Sequence, residues 1–164
     1  MTAGKNSASE DYRQAALALI QSESTLTLAT ADESGPWSAP VYHICLNGSF
    51  FFFSSPQSRH IRQAMDSGQA SASLFRQADS WQAIRGIQMT GTVERIRSAA
   101  LSLKTITLYL KRFPFTREFF EDNPAPDLEA FFSRFKARLY AFTPTKVYYI
   151  DNRFGFGTRQ RIDW

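Results

Sequence analysis

Residues 54–60 read Ser-Ser-Pro-Gln-Ser-Arg-His, so three hydroxyls, a guanidinium and an imidazole fall within seven positions. Hydroxyls and guanidinium groups donate hydrogen bonds to oxyanions, and Ser58 stands where it could open a helix whose first-turn amides also attract an anion. Together they could form a phosphate cradle. The alternative, which composition alone favours, is an ordinary capped helix whose Arg59 and His60 face water. His43 and Cys45 lie two apart and share one face of a strand, which admits a metal or haem ligand role for His43; the alternative is a packed strand histidine with a bonded ring. The chain has one cysteine and two histidines, with no carboxylates at ligand spacing, so no structural metal and no intrachain disulfide are expected. Cys45 itself reads as a small buried hydrophobe.

The elements that must position these residues follow from hydrophobic period. Residues 1–8 read as a disordered tail, followed by a single domain over residues 9–164. Tyr12, Ala15, Ala16, Leu19 and Ile20 recur at spacings of three and four, which predicts a helix over 10–20. Leu26 and Leu28 alternate before the turn residues Asp32, Glu33, Ser34 and Gly35. A strand over 37–46 follows, then Asn47-Gly48, the strongest hairpin signal in the chain, then the run of phenylalanines at 50–53. That run suits a strand buried on both faces. A short helix capped by Ser58 and ended by Gly68 should place Ile61, Ala64 and Met65 on one face. Strands are expected over 70–75 and 87–94, the latter with Ile87, Met89, Gly91 and Val93 on one side. A helix over 98–112 comes next, with Pro114, Pro124 and Pro126 breaking the following stretch into short helical pieces. Two closing strands are read from the alternation of Phe135, Ala137, Leu139 and Ala141 and from Val147 and Tyr149. Short loops between strands favour antiparallel pairing, so the fold class is mainly β: a six- to seven-stranded antiparallel barrel with flanking helices.

Composition narrows the function classes. Hydrophobic residues make up 43% of 164 residues, and 15 Phe, 6 Tyr and 3 Trp suit a β-rich core. No apolar run reaches the ~20 residues of a membrane span, and the first residues lack the order of a secretion signal, so a cytoplasmic protein without membrane partners is expected. The net charge of +4 is spread rather than clustered. Aromatics fall in apolar runs instead of alternating with Lys and Arg, so nucleic acid is not expected as a partner.

The segments LATADESGPWSAPV, FFFSSPQSRH and IQMTGTVERI, in that order, resemble the pyridoxamine-phosphate-oxidase-like FMN-binding split barrels. AIRGIQMTGTVERI, KRFPFTR and KVYYIDNRFGFG resemble the YhbP-like branch of that family. In many members an aromatic-Ser/Thr-x-x-x-Ser-Arg/x-Lys element holds the flavin phosphate. Phe53, Ser54, Ser58 and Arg59 match it, and His60 stands where lysine is usual. The resemblance implies a homodimer with FMN between subunits. In that frame Ser38, Ala39, Pro40 and Val41 would run past the ring system, and Arg85 and Gln88 would reach it from a neighbouring strand. Asn152 and Arg153 would close the site from the other subunit.

What this implies for activity is a flavin-dependent oxidoreductase acting on a small molecule or a reduced nicotinamide, since the cofactor accepts the hydride and the protein supplies position. The other reading is a non-catalytic flavin- or haem-binding protein of the same fold. Members acting on pyridoxamine phosphate usually carry glutamine near position 86 and an Arg-rich terminal motif. Arg85-Gly86 and DNRFGFGTR depart from both, so pyridoxamine phosphate is not the expected substrate.

Overall fold

Eight strands, three α-helices and short 3-10 turns account for the regular structure among residues 3–116 and 136–164, the residues that the computed structural model describes. In chain order they are α1 (Ala3–Ser22), β1 (Thr25–Asp32), β2 (Gly35–Tyr42), β3 (Ile44–Leu46), β4 (Ser49–Ser54), α2 (Arg59–Ser67), β5 (Ala70–Phe75), β6 (Arg85–Arg95), α3 (Ala99–Arg112), β7 (Arg138–Asp151) and β8 (Arg159–Ile162). All pairings are antiparallel, in the order β2-β1-β5-β6-β7-β4-β3, with β8 added to β7. The sheet curls into a half-barrel flanked by helices, as the strand pattern predicts.

The curl centres on β7. Its first part pairs with β4, from Phe142 opposite Phe50 to Arg138 opposite Ser54, while its second part pairs with β8. On its other side it follows β6 throughout, with a register shift at Thr90/Gly91 that leaves Thr145 unopposed. Gly91 sits where the strands come closest. A Cβ there would overlap the Thr143 carbonyl and come within 2.9 Å of Pro144 Cα, so only glycine lets the bulge form.

The phenylalanine run behaves as its composition suggests. Phe50 and Phe52 point into the barrel with Phe142, whereas Phe51 packs on the opposite face with Leu139, Ala141 and, from α3, Leu101. α1 lays Ala16, Leu19 and Ile20 over the barrel core. Arg112, at the end of α3, donates from Nη2 to the carbonyls of Ile20, Gln21 and Glu23, and so satisfies acceptors that the end of α1 leaves open.

Several expectations need correction. The strand expected over 37–46 is interrupted at His43, whose N–H bonds the Ser24 carbonyl while its ring is enclosed, so β2 and β3 are separate strands. The two closing strands are one: the alternation breaks near Pro144 because of the bulge, and the strand continues through it. Phe135 and the expected short helical pieces after Pro114 extend into residues outside those described. β8 was not anticipated, because RQRI has a single apolar residue, Ile162, to anchor it in the core. The expected tail is helical from Ala3, because an established helix extends at little cost through polar residues. Met65 is 47% exposed, and Gln63 takes the inward position expected of it. His43 is packed against Phe50, but neither ring nitrogen makes a hydrogen bond of normal geometry, although the Ser24 and Ile20 carbonyls are near enough to favour its proton slightly.

Two expected outcomes follow from these contacts. Gly91→Ala should destabilise the protein by about 3 kcal/mol or more in urea unfolding, since the clash is with backbone and cannot be relieved by a rotamer change. Burial, helped by the Arg112 charge, lowers the His43 pKa from 6.5 to about 4. The unfolded chain therefore takes up a proton that the folded chain refuses, and stability should fall by roughly 2–4 kcal/mol as pH drops from 6.5 to 4. Denaturant unfolding at several pH values checks this, and His43→Phe should flatten that part of the profile.

Candidate functional site

Three sequence-predicted residues meet where β4 ends and α2 begins. Ser54 Oγ lies 2.8 Å from His60 Nε2 and 3.1 Å from Ser58 Oγ, and Ser58 Oγ lies 3.3 Å from the same nitrogen. Ser58 occupies the position before the helix in extended conformation, yet its hydroxyl does not cap the first-turn amides; it donates to the Ser55 carbonyl at 2.7 Å. The earliest α2 amides engaged with it are those of Ile61 and Arg62, which bond the Ser58 carbonyl. The mouth of α2 therefore gathers two hydroxyls, an imidazole and helix-start amides that its own cap residue does not satisfy. Burial lowers the His60 pKa, so the ring is neutral at pH 7 and one nitrogen is committed to Ser54.

Arg59 takes a different course. Its Nη2 donates to the Ser34 carbonyl at 3.2 Å, the Ser34 hydroxyl at 2.9 Å and the Gly35 carbonyl at 3.1 Å, with Asp32 4.0 Å away. Its guanidinium lies 4.9 Å from the centre of the Trp37 ring. Arg59 thus ties the β1–β2 turn and the start of β2 to α2. Gln63 reinforces the tie from inside: its amide donates to the Gly35 carbonyl at 3.2 Å and accepts from Thr30 Oγ1 at 2.7 Å. Within the turn, the Asp32 carboxylate accepts from the Ser34 hydroxyl and amide, and the Ser34 hydroxyl bond is the main reason its pKa is lowered. Of these turn-to-helix partners, only Asp32, Glu33, Ser34 and Gly35 were legible as a turn. The buried amide of Gln63 gave no sign in a helix read by apolar spacing.

β2 runs away from this mouth with a single strand partner, β1. Pro36 and Pro40 fit such an edge, because proline cannot donate to a ladder. Ser38 and Pro40 face outward, whereas Ala39 and Val41 turn into the protein. Across the sheet, Pro40, Thr27, Ser73, Gln88 and Tyr148 fall in one row by register, which puts Gln88 on the same open face as Ser38 and Pro40. Phe53 lies to the other side of the mouth, its ring 5.0 Å from that of Tyr109, whose hydroxyl donates to the Tyr42 carbonyl at 2.7 Å.

The remaining predicted residues are placed elsewhere, and Arg153 and Asn152 are engaged within their own chain. Arg153 holds Asp151 through its side-chain fork and backbone amide; burial opposes ionisation of Asp151, and these bonds, with that from Tyr149, outweigh it and keep the carboxyl below its usual range. Asn152 donates to the Trp81 carbonyl at 2.8 Å and accepts from Gly157 N–H at 3.1 Å. Arg85 pairs opposite Asp151 in the sheet and keeps Nε buried without an acceptor. His43 is fully enclosed and presents no ligating atom to solvent.

Gln63→Leu should cost about 1–3 kcal/mol in denaturant unfolding, because it strands the Gly35 carbonyl and the Thr30 hydroxyl without replacing their partner. The same substitution should blue- or red-shift Trp37 emission by loosening the turn against α2, a change that Met65→Leu on the exposed face should not produce.

Comparison with known proteins adds to this geometry. No curated protein matches the chain. Among solved structures, a haem-binding protein from Mycobacterium smegmatis superposes with a TM-score of 0.66 at 18% identity, covering 94% of this chain and 57% of its own. The chain thus spans little more than half of that protein. HutZ, the haem storage protein from Vibrio cholerae, superposes with a TM-score of 0.60 at 19% identity over 84% of this chain and 89% of its own. An FAD-binding protein from Mesorhizobium loti superposes with a TM-score of 0.61 at 13% identity over 82% and 90%. At such identities the likeness is one of fold. The family profile described as pyridoxamine 5'-phosphate oxidase matches residues 12–151, a span that includes the α2 mouth, the β2 edge and the bulged β6–β7 pair. The chain belongs to the pyridoxamine 5'-phosphate oxidase family.

Proposed function

We propose that this protein binds FMN at the mouth of α2 as a homodimer and uses it as a cytoplasmic oxidoreductase toward a small molecule or a reduced nicotinamide. The observation that carries this reading is the Ser54, Ser58 and His60 cluster at a helix start whose cap hydroxyl is turned from its own amides. The Ser54 hydroxyl and helix-start amides left open by the cap hydroxyl are what a terminal phosphate monoester needs, and the neutral imidazole can add a proton when the dianion arrives. The family and an FAD-binding structural relative support a flavin as the ligand.

When bound, the flavin supplies the hydride chemistry, and this chain's residues bind, orient and shield it. The open row through Pro40 and Gln88 offers a flat polar surface for the ring system beside the phosphate end. Arg59 keeps β2 at a set distance from α2, which relates ring surface to phosphate mouth. A second copy is supported by the outward face of β1, β2, β5 and β6, where small residues such as Ala29, Ser38 and Ser71 lie beside Tyr42 and a 65% exposed Phe75. Two sheets pack well when such a face is flat.

Haem is a second reading, because two structural relatives are a haem-binding and a haem storage protein. The chain has two histidines, and His43 is enclosed, so His60 is the one placed to serve as an axial ligand.

The absorption spectrum of the purified protein, recorded before and after adding FMN and alongside its mass in solution, tests both readings. Flavin bands travelling with a dimer are expected. Ser54→Ala should raise the FMN dissociation constant roughly tenfold, and His60→Lys should keep or lower it. A colourless protein indifferent to FMN defeats the proposal, and a sharp Soret band lost in His60→Ala turns it to haem.

A further inference from the structure

A second cavity, of about 550 Å³, lies apart from the α2 mouth and shares no lining residue with it. It opens between α1, the β3–β4 turn, the bend of β7 and the end of α3, and its volume is that of small-molecule sites. Leu17 and Ile20 on α1 and the indole of Trp164 supply its apolar wall, while Arg13 and Arg112 supply positive charge. Among the described residues no Asp or Glu lines it.

Arg112 makes the charge consequential. Its hydrogen bonds go from Nη2 to three backbone carbonyls, which are neutral, and it makes no ion pair with the described residues. Its Nε and Nη1 make no hydrogen bond to the described residues. The guanidinium is partly desolvated, which lowers its pKa, and its charge is felt by both the enclosed His43 ring and the Cys45 thiol, another lining residue. A half-buried cation with neutral partners attracts an anion that can desolvate along with it. The walls are also held in place: Trp164 Nε1 donates to the Gly48 carbonyl at 2.6 Å, and Arg112 is fixed by its carbonyls.

We propose that this cavity binds a small carboxylate with a short apolar tail, the carboxylate at Arg112 and the tail against Leu17, Ile20 and Trp164. With Nη2 held by the carbonyls, Nη1 or Nε of Arg112 can donate one charge-assisted bond to a carboxylate oxygen, and the single apolar wall selects a tail rather than a second charge.

Octanoate is the probe, with octanol and octylamine as charge controls, titrated by calorimetry into the full chain near pH 8. Saturable one-to-one binding of octanoate is expected, at least tenfold tighter than octanol, with no octylamine binding. Cys45 is the sole cysteine and lines the cavity, and burial raises its pKa to about 11, so it reacts slowly with an aromatic disulfide. Octanoate should slow that reaction further. Arg13→Glu should weaken octanoate at least tenfold, and Leu17→Trp, which fills the apolar end, should abolish binding; circular dichroism confirms that each variant is folded. Absence of saturable octanoate binding, equal binding of the three probes, or binding that survives both substitutions overturns the assignment.

Discussion

The approach of β6 to β7 at Gly91 is the contact on which the rest of the molecule depends. With no side chain at that position, the two backbones close to a distance that any Cβ would forbid, and Thr145 is extruded as a bulge. The bulge bends a 14-residue strand enough for its first part to hold β4 and its second to hold β8. Bringing β4 onto β7 sets where Ser54 ends the strand, and therefore where the mouth of α2 lies. The same bend, at Thr143 and Pro144, forms one wall of the second cavity.

Two arginines then do related work at opposite sides of the barrel. Arg59 gathers carbonyls of the β1–β2 turn, and Arg112 gathers those at the end of α1. In both cases one guanidinium nitrogen satisfies several backbone acceptors that secondary structure leaves open, which is cheaper than ordering a separate partner for each. The difference lies in compensation. Both guanidinium groups lie over an aromatic ring, Trp37 for Arg59 and Phe113 for Arg112, but of the two only Arg59 has a described carboxylate, that of Asp32, nearby. Uncompensated charge marks a place where a ligand can contribute what the protein does not.

The two histidines show how burial separates residues of one type. His60 keeps a hydrogen-bonded nitrogen at a mouth open to solvent, so a bound anion can change its charge. His43 is sealed between Phe50 and the end of α1, where protonation is resisted by burial and by Arg112. It acts as a volume filler whose acid form the fold rejects. Its presence makes the fold sensitive to acid without giving it a site.

From sequence alone, local chemistry was readable: the Asn47-Gly48 hairpin, the phenylalanine strand buried on both faces, the inward alternation from Ile87 to Val93, and the hydroxyls around Ser58. Each depends on periodicity or turn preference within about ten residues, which tertiary structure respected. The order of three such segments carried the family resemblance. Tertiary structure alone decided what lay beyond that range. The union of two expected strands through Pro144 required a glycine more than fifty residues earlier in the chain. The commitment of Arg59 to Ser34 and Gly35, the inward Gln63, and the clamp of Arg112 on α1 all join segments distant in sequence, where residue type says that a polar group needs a partner but not which one. β8 escaped notice for the same reason: a strand with one apolar residue is made by the edge that receives it.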